Sequence, residues 1–205
     1  MELDGRRVLV SGASSGIGEA TARELAERGA RVACLARSKD KVEALAEEIG
    51  GVALAADEAA DSPGGLDAVA NVAGIQLLAP FSDGRTDEWR RLLDVNVLGL
   101  CLVTHAALGH IREAGGGDIV NMSSIAGRRV TGDTSAVYNG TKFAVHAISE
   151  LLRRELHSDG IRVIVISPDG STPTSARTWR TATFERACRS GRSRSGSTPE
   201  TSDAR

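Results

Sequence analysis

A chain of 205 residues with a net charge of −2 and 41% hydrophobic residues has the length and composition of one soluble globular domain. Three widely spaced cysteines without a Cys-x-x-Cys pair, and four histidines without metal-ligand spacing, exclude a disulfide framework and a zinc site. We find no signal peptide and no long uninterrupted apolar stretch, so we expect a cytoplasmic protein without a membrane partner.

A glycine-rich turn follows the first predicted strand. Residues 7–10 form a short apolar run, typical of a buried parallel strand, that leads directly into Gly12-x-x-x-Gly16-x-Gly18. Such glycines let the backbone turn sharply and approach a pyrophosphate, whose charge is bound by amides at the start of the next helix. The pattern predicts a dinucleotide site, and the alternative is a tight turn without a ligand.

The residues after the second predicted strand, 31–35, indicate which cofactor would bind. An acid there would bind the ribose hydroxyls of NAD, whereas this chain has Ala36, Arg37 and Ser38. A positive charge favours a phosphate, so we predict NADP(H) over NAD(H). A solvated basic loop is the alternative.

The connection between the third and fourth predicted strands is short. Only eight residues separate Asp57, which follows the strand at 52–55, from Leu66, where the next apolar run begins. Parallel strands need a crossover of a dozen or more residues, and eight extended residues span only about 28 Å. We therefore expect a connection that is barely long enough to join the two strands. We also expect apolar surface on one face of the sheet to stay exposed to solvent.

Two further helices carry polar residues among apolar ones. Asn96 lies in the middle of a predicted helix that runs to Ile111, and a buried amide there must be paired, either for function or simply for packing. Tyr138 and Lys142 are four residues apart, so a helix places them on the same face. A neighbouring ammonium stabilises a phenolate, although a half-exposed helix face with a solvated lysine would give the same spacing.

The carboxyl-terminal part has a different composition. A sixth strand at 162–166 is followed by Pro168, after which Ser, Thr and Arg dominate; residues 171–205 carry seven Arg and three acids, a net charge of +4. We predict a folded domain over 1–170 and a disordered tail over 171–205. A reading-frame shift or misjoined gene model after Pro168 would explain the change. Nucleic-acid binding by the tail is an alternative, but without stacking aromatics we expect no nucleic-acid partner.

Taken together, the glycine turn, Asn71-x-Ala73-Gly74, Asn96, Ser124 and Tyr138-x-x-x-Lys142 resemble the short-chain dehydrogenase/reductase family over about residues 5–168. The resemblance implies an α/β fold with a Rossmann-like doubly wound parallel sheet in three αβα layers. Relative to that family, the chain lacks the helix between the third and fourth strands and is incomplete at its carboxyl terminus.

The resemblance also implies roles for individual residues. Tyr138 would transfer the proton, Lys142 would assist it and bind the nicotinamide ribose, Ser124 rather than Ser123 would hold the substrate oxygen, and Asn96 would order a relay water. The implied cofactor-binding residues are Gly12, Ser14, Ser15, Gly16, Ile17, Gly18, Arg37, Ser38, Asp57, Asn71, Ala73, Gly74, Tyr138, Lys142 and Pro168. In relatives, the helices matching those of Asn96 and Tyr138 build a homodimer.

These observations predict an NADP(H)-dependent oxidoreductase that interconverts an alcohol and a ketone or aldehyde of small size. The alternative is an inactive nucleotide-binding remnant of the family, in which the cofactor turn survives without a closed substrate pocket.

Overall fold

The computed structural model describes residues 3–55 and 65–169. The strands are β1 (Arg7–Ser11), β2 (Arg31–Ala36), β3 (Val52–Ala55), β4 (Ala68–Asn71), β5 (Gly117–Met122) and β6 (Ile161–Ile166). The helices are α1 (Gly16–Glu27), α2 (Lys39–Ile49), α3 (Thr86–Leu93), α4 (Gly99–Glu113) and α5 (Ala136–Glu155), with short 3₁₀ turns at Phe81–Asp83, Ile125–Gly127 and His157–Asp159.

The six strands form one parallel sheet in the order β3-β2-β1-β4-β5-β6. The chain moves outward from β1 to β3, then crosses back to β4 and moves outward in the other direction. The sheet is therefore doubly wound, as the resemblance implied, and its reversal lies between β1 and β4. In such sheets ligands bind outside the carboxyl ends of the strands at this reversal.

Helices pack on both faces of the sheet. Successive strand residues point to opposite faces, so Val8 and Val10 of β1 join a core with α1 and α2. Leu9 between them joins a second core with α4 and β6. The predicted three-layer arrangement is confirmed.

The connection from β3 to β4, which we expected to be barely possible, lies mostly outside the described residues. Twelve residues, 56–67, lie between the strand ends, and twelve extended residues reach about 40 Å. The lateral step across β2 and β1 is only about 14 Å. We expected apolar side chains on one face of the sheet to be exposed to solvent. This is wrong for Leu35 and Leu54, which are buried, but Val52 is 54% exposed.

A π-helical segment, Asp94–Leu98, joins α3 to α4 and makes one helical stretch from Thr86 to Glu113. A π-helical turn contains an extra residue and occurs frequently at functional sites. By length and composition alone this stretch could cross a membrane, with a mean hydropathy of 1.7 in its most apolar window, of which 28% is buried. Polar residues such as Asn96, Thr104 and His105 interrupt the stretch, so the expectation of no long uninterrupted apolar stretch is unchanged. Its apolar side chains at Leu93, Leu98 and Leu102 are exposed.

Candidate active site

A cleft of about 540 Å³ opens at the sheet reversal, between the ends of β1 and β4. It is lined by eleven of the predicted cofactor residues: Gly12, Ser14, Ser15, Gly16, Ile17, Gly18, Arg37, Ser38, Asn71, Ala73 and Gly74. Tyr138, Lys142 and Pro168 line an adjoining cleft, and Asp57 lies outside the described residues. The sheet order thus brings together residues that are far apart in sequence.

The turn after β1 requires glycine at two places. A Cβ added at Gly12, where φ is +75°, would lie 2.7 Å from Cα of Ala73, and one at Gly18 would lie 2.1 Å from the carbonyl oxygen of Gly12. The Ser11 hydroxyl accepts hydrogen bonds from the N–H groups of Val72 and Ala73, at 3.1 and 3.3 Å. The turns after β1 and β4 are therefore bound to each other and form a cradle that side chains would fill, which fits a dinucleotide.

Arg37 and Ser38 stand at the end of this cleft, between β2 and α2. Arg37 is exposed and has no carboxylate partner in the part of the chain that the structure describes. Ser38 precedes α2 without a side-chain capping bond. Both side chains are therefore available to an anionic group at this end of the cleft.

Asn71 lines the first cleft, and its side-chain amide belongs to a buried hydrogen-bond network. Its amide nitrogen donates to the hydroxyl of Thr104 on α4 and to Oδ1 of Asn121 on β5, each at 2.9 Å. Asn121 donates in turn to the hydroxyl of Ser149 on α5, at 2.9 Å. This buried network ties the sheet to the helices that carry the other site residues, and Oδ1 of Asn71 has no partner among the described residues.

Asn96 is buried in the π-helical segment and its amide is fully paired. Its Oδ1 accepts from the N–H of Ile75 at 2.8 Å, and its nitrogen donates to the carbonyl of Ile75 at 2.9 Å and to the Thr141 hydroxyl at 3.1 Å. The side chain therefore fixes the backbone that follows Gly74. Both donor hydrogens of the amide are engaged, so a relay water here would accept no hydrogen bond from Asn96 and would have to donate to Oδ1 or bind another group.

Lys142 is 5% exposed, which is unusual for a lysine. Its ammonium donates to the carbonyl of Met122 at 3.1 Å and lies 5.9 Å from the centre of the Tyr138 ring. Burial lowers the pKa of Lys142 to about 8. A Cβ on Gly74 would lie 3.5 Å from the ammonium and 3.3 Å from Oδ1 of Asn96, so Lys142 and Asn96 meet at this glycine.

The second cleft, of about 500 Å³, contains Ser124, Tyr138 and Lys142. It shares Ile17, Val72, Gly74 and Ile75 with the first cleft, so the two are continuous. The Ser123 hydroxyl donates to the backbone carbonyl of Lys142 at 3.1 Å and is buried, whereas Ser124 is half-buried. Both serines line the cleft, and Ser124 is the more exposed of the two; its role in holding the substrate oxygen stays a prediction.

Sequence reasoning missed the polar partners that hold this site. Asn139 and Thr141 lie on the buried face of α5, as does Ser149 further along the helix. Polar residues on the apolar face of an amphipathic helix were the available signal, because buried polar groups must be paired.

Among the described residues, the cysteines and titratable clusters outside the clefts indicate no further chemistry. Cys34 is buried in the core, and burial raises the pKa of its thiol to about 11. Cys101 is half-buried. Within residues 3–55 and 65–169 no three His, Cys, Asp or Glu side chains form a group that could hold a metal.

The parallel sheet, the glycine cradle at its reversal and the Tyr138–Lys142 pair define a dinucleotide-binding protein of the Rossmann class. Comparison with known proteins gives the family. The family model described as short chain dehydrogenase matches residues 6–183, beyond residue 168 where we expected the resemblance to end. The chain belongs to this family of oxidoreductases, whose members bind a nicotinamide cofactor.

Relatives and solved structures agree. An uncharacterized oxidoreductase of Staphylococcus aureus is 38% identical over 175 residues, covering 78% of this chain and 75% of the relative. A 3-ketoacyl-ACP reductase from Sinorhizobium meliloti superposes with a TM-score of 0.73 at 36% identity, over 79% of this chain and 71% of that one. A gluconate 5-dehydrogenase from Burkholderia cenocepacia, solved in complex with NADP and tartrate, has a TM-score of 0.75 at 31% identity, over 82% of this chain and 72% of that one.

Proposed function

We propose that the protein is an NADP(H)-dependent oxidoreductase that interconverts a small alcohol and the corresponding ketone or aldehyde. The observation that carries the proposal is the buried ammonium of Lys142 beside Tyr138, in a cleft continuous with the glycine cradle. When bound, the cofactor would supply or accept the hydride. The proposal places the protein in the cytoplasm.

The side chains would handle the proton and the substrate oxygen. Tyr138 would donate its hydroxyl proton to the carbonyl oxygen during reduction, and its phenolate would take the alcohol proton during oxidation. Lys142 would stabilise that phenolate and bind the ribose hydroxyls, because an unneutralised ammonium in a buried site favours a neighbouring anion. Ser124 would donate a hydrogen bond to the substrate oxygen, and Asn96 would keep the Ile75 backbone in place beside them.

Arg37 supports the preference for NADP(H). Substituting Arg37→Glu is expected to weaken NADPH binding about tenfold or more relative to NADH, because a cation that would meet the 2′-phosphate becomes an anion. Thermal unfolding with each cofactor at a series of concentrations measures both affinities. Arg31→Glu is the matched control, because Arg31 is exposed at the opposite end of β2.

The wild-type protein decides between the two candidate activities in the same experiment. A cooperative transition raised more by NADPH than by NADH, together with NADPH oxidation in the presence of a small aldehyde, supports the proposed enzyme. Cofactor-dependent stabilisation without turnover of any carbonyl compound would instead identify a nucleotide-binding remnant. Equal stabilisation by both cofactors would contradict the assignment to Arg37.

We also propose a homodimer through α4 and α5. Large apolar side chains are exposed on the helical stretch that ends in α4 and on α5: Leu93, Leu98 (52%) and Leu102 (58%) on the first, Phe143 and Leu151 (63%) on the second. Patches of this kind mark protein–protein contacts. Leu102→Glu is expected to convert a dimer into a monomer, measured by sedimentation velocity. Val52→Glu, at a similarly exposed position on β3, is the control; a monomeric wild type would contradict the proposal.

A further inference from the structure

The loop of residues 128–135, between the turn Ile125–Gly127 and α5, forms one wall of the second cleft. Thr131, Gly132, Thr134 and Ser135 line the cleft on this side. The loop has almost no apolar anchorage of its own, since Arg128 and Arg129 are exposed and Val130 is 81% exposed. Polar contacts must therefore hold it in place.

One side chain makes most of these contacts. Asn139, which directly follows Tyr138 on α5, is 5% exposed. Its Oδ1 accepts from the backbone N–H of Thr131 at 3.0 Å, and its nitrogen donates to the carbonyl of Thr131 at 3.1 Å. The same nitrogen donates to the carbonyl of Ser135 at 2.8 Å and to its hydroxyl at 2.6 Å. Asn139 thus binds both backbone groups of Thr131 and also Ser135, the residue immediately before α5.

The loop in turn holds the opposite wall. The N–H of Ala79 donates to the carbonyl of Thr134 at 2.9 Å. Ala79 belongs to the segment 75–80, whose Ile75, Gln76 and Leu78 line the same cleft from the β4 side. A substitution of Asn139 would therefore affect the positions of both walls of the cleft that contains Tyr138.

We propose that Asn139 is a positioning residue that fixes the 128–135 loop against α5 and so sets the shape of the substrate cleft. The inference rests on the proposed function for its kinetic consequence, but its structural part does not. Within the described part of the chain, the Asn139 side chain hydrogen-bonds Thr131 and Ser135 and not Ser124, Tyr138 or Lys142. Its loss is expected to loosen the wall while Tyr138 and Lys142 keep their places on α5.

The test compares Asn139→Ala with Gly140→Ala. Gly140 is the next residue of α5, it is exposed, and a Cβ added there meets nothing within 4 Å. Hydrogen–deuterium exchange of the NADPH-saturated protein is expected to be about tenfold faster in the 128–135 peptide of Asn139→Ala, and unchanged in the α1 peptide and in Gly140→Ala. With propionaldehyde and benzaldehyde as probes, KM is expected to rise about tenfold in Asn139→Ala, with kcat changed far less.

Each result decides the matter. Unchanged exchange in the loop would overturn the proposal, because Asn139 would then not fix the loop. Equal acceleration throughout the protein would also overturn it, because Asn139 would then stabilise the whole fold rather than this loop. A loosened loop with unchanged KM for both aldehydes would also overturn it. If the wild type oxidises NADPH with neither aldehyde, the proposed function fails on these probes, and the exchange comparison alone supports or overturns the role of Asn139.

Discussion

Replacing Tyr138 by Phe is expected to lower turnover by about 10²- to 10⁴-fold, the range that a positioned acid or base contributes. The ring and its packing beside Lys142 would remain, and only the group that exchanges the proton would be lost. The chain contains one tyrosine, so no other phenol can take over the role. The rate of NADPH oxidation with propionaldehyde is the measurement.

Cofactor affinity separates a chemical effect of Tyr138→Phe from a structural one. The hydroxyl is not part of the glycine cradle, so the stabilisation of the variant by NADPH is expected to stay close to that of the wild type. A rate within a few-fold of the wild type would contradict the proton-transfer role. A lost cofactor response would show that the substitution disturbs the site itself.

The second large effect is expected from Lys142→Met, which should stabilise the protein while abolishing turnover. Burial lowers the pKa of Lys142 from 10.5 to about 8, so at pH 7 the folded chain holds an ammonium that the unfolded chain hydrates better. This difference corresponds to about 3 kcal/mol. Loss of the hydrogen bond to Met122 removes about 1 kcal/mol of that gain, which leaves a net increase of about 2 kcal/mol in the free energy of unfolding.

The stabilisation by Lys142→Met should decrease as the pH rises above about 8. Between about pH 8 and 10.5 the unfolded wild-type chain still binds the Lys142 proton and the folded chain has lost it. The free energy of unfolding of the wild type therefore rises with pH over this interval, and the advantage of Lys142→Met shrinks. Urea denaturation at pH 7 and pH 10 measures both, with Lys41→Met as a control at an exposed lysine. A variant less stable than the wild type at pH 7 would contradict the argument.

Much of the fold could be predicted because local patterns determine it. The apolar runs that became β1, β2 and β6 are bounded by polar residues or glycine, and Gly29 follows α1 with a φ of +84°. The position of β4 beside β1 was also implied by the resemblance. The burial of Leu35 and Leu54 could not be predicted, because it depends on tertiary packing rather than on any local pattern.

The candidate site was predicted less completely than the fold. Its glycines and the Tyr138–Lys142 pair carry a spacing that can be read along the chain. No sequence spacing indicates the hydrogen bonds of Asn71 and Asn139, since their partners lie on other elements or on a loop whose path is set by the fold. The same holds for the pairing of Asn96 with the backbone of Ile75, 21 residues away.

The extra residue in the π-helical segment turns everything after it by about 100° relative to an uninterrupted α-helix. Leu93 and Leu98 are five residues apart across the segment, and Leu98 and Leu102 are four apart beyond it, yet all three are exposed. Asn96, between the first two, faces inward to Ile75 and Thr141. One helix can thus present exposed apolar side chains and a buried amide in the same turn. Deleting one residue here would rotate the later part of the helix, so either the exposed leucines or Asn96 would lose its present orientation.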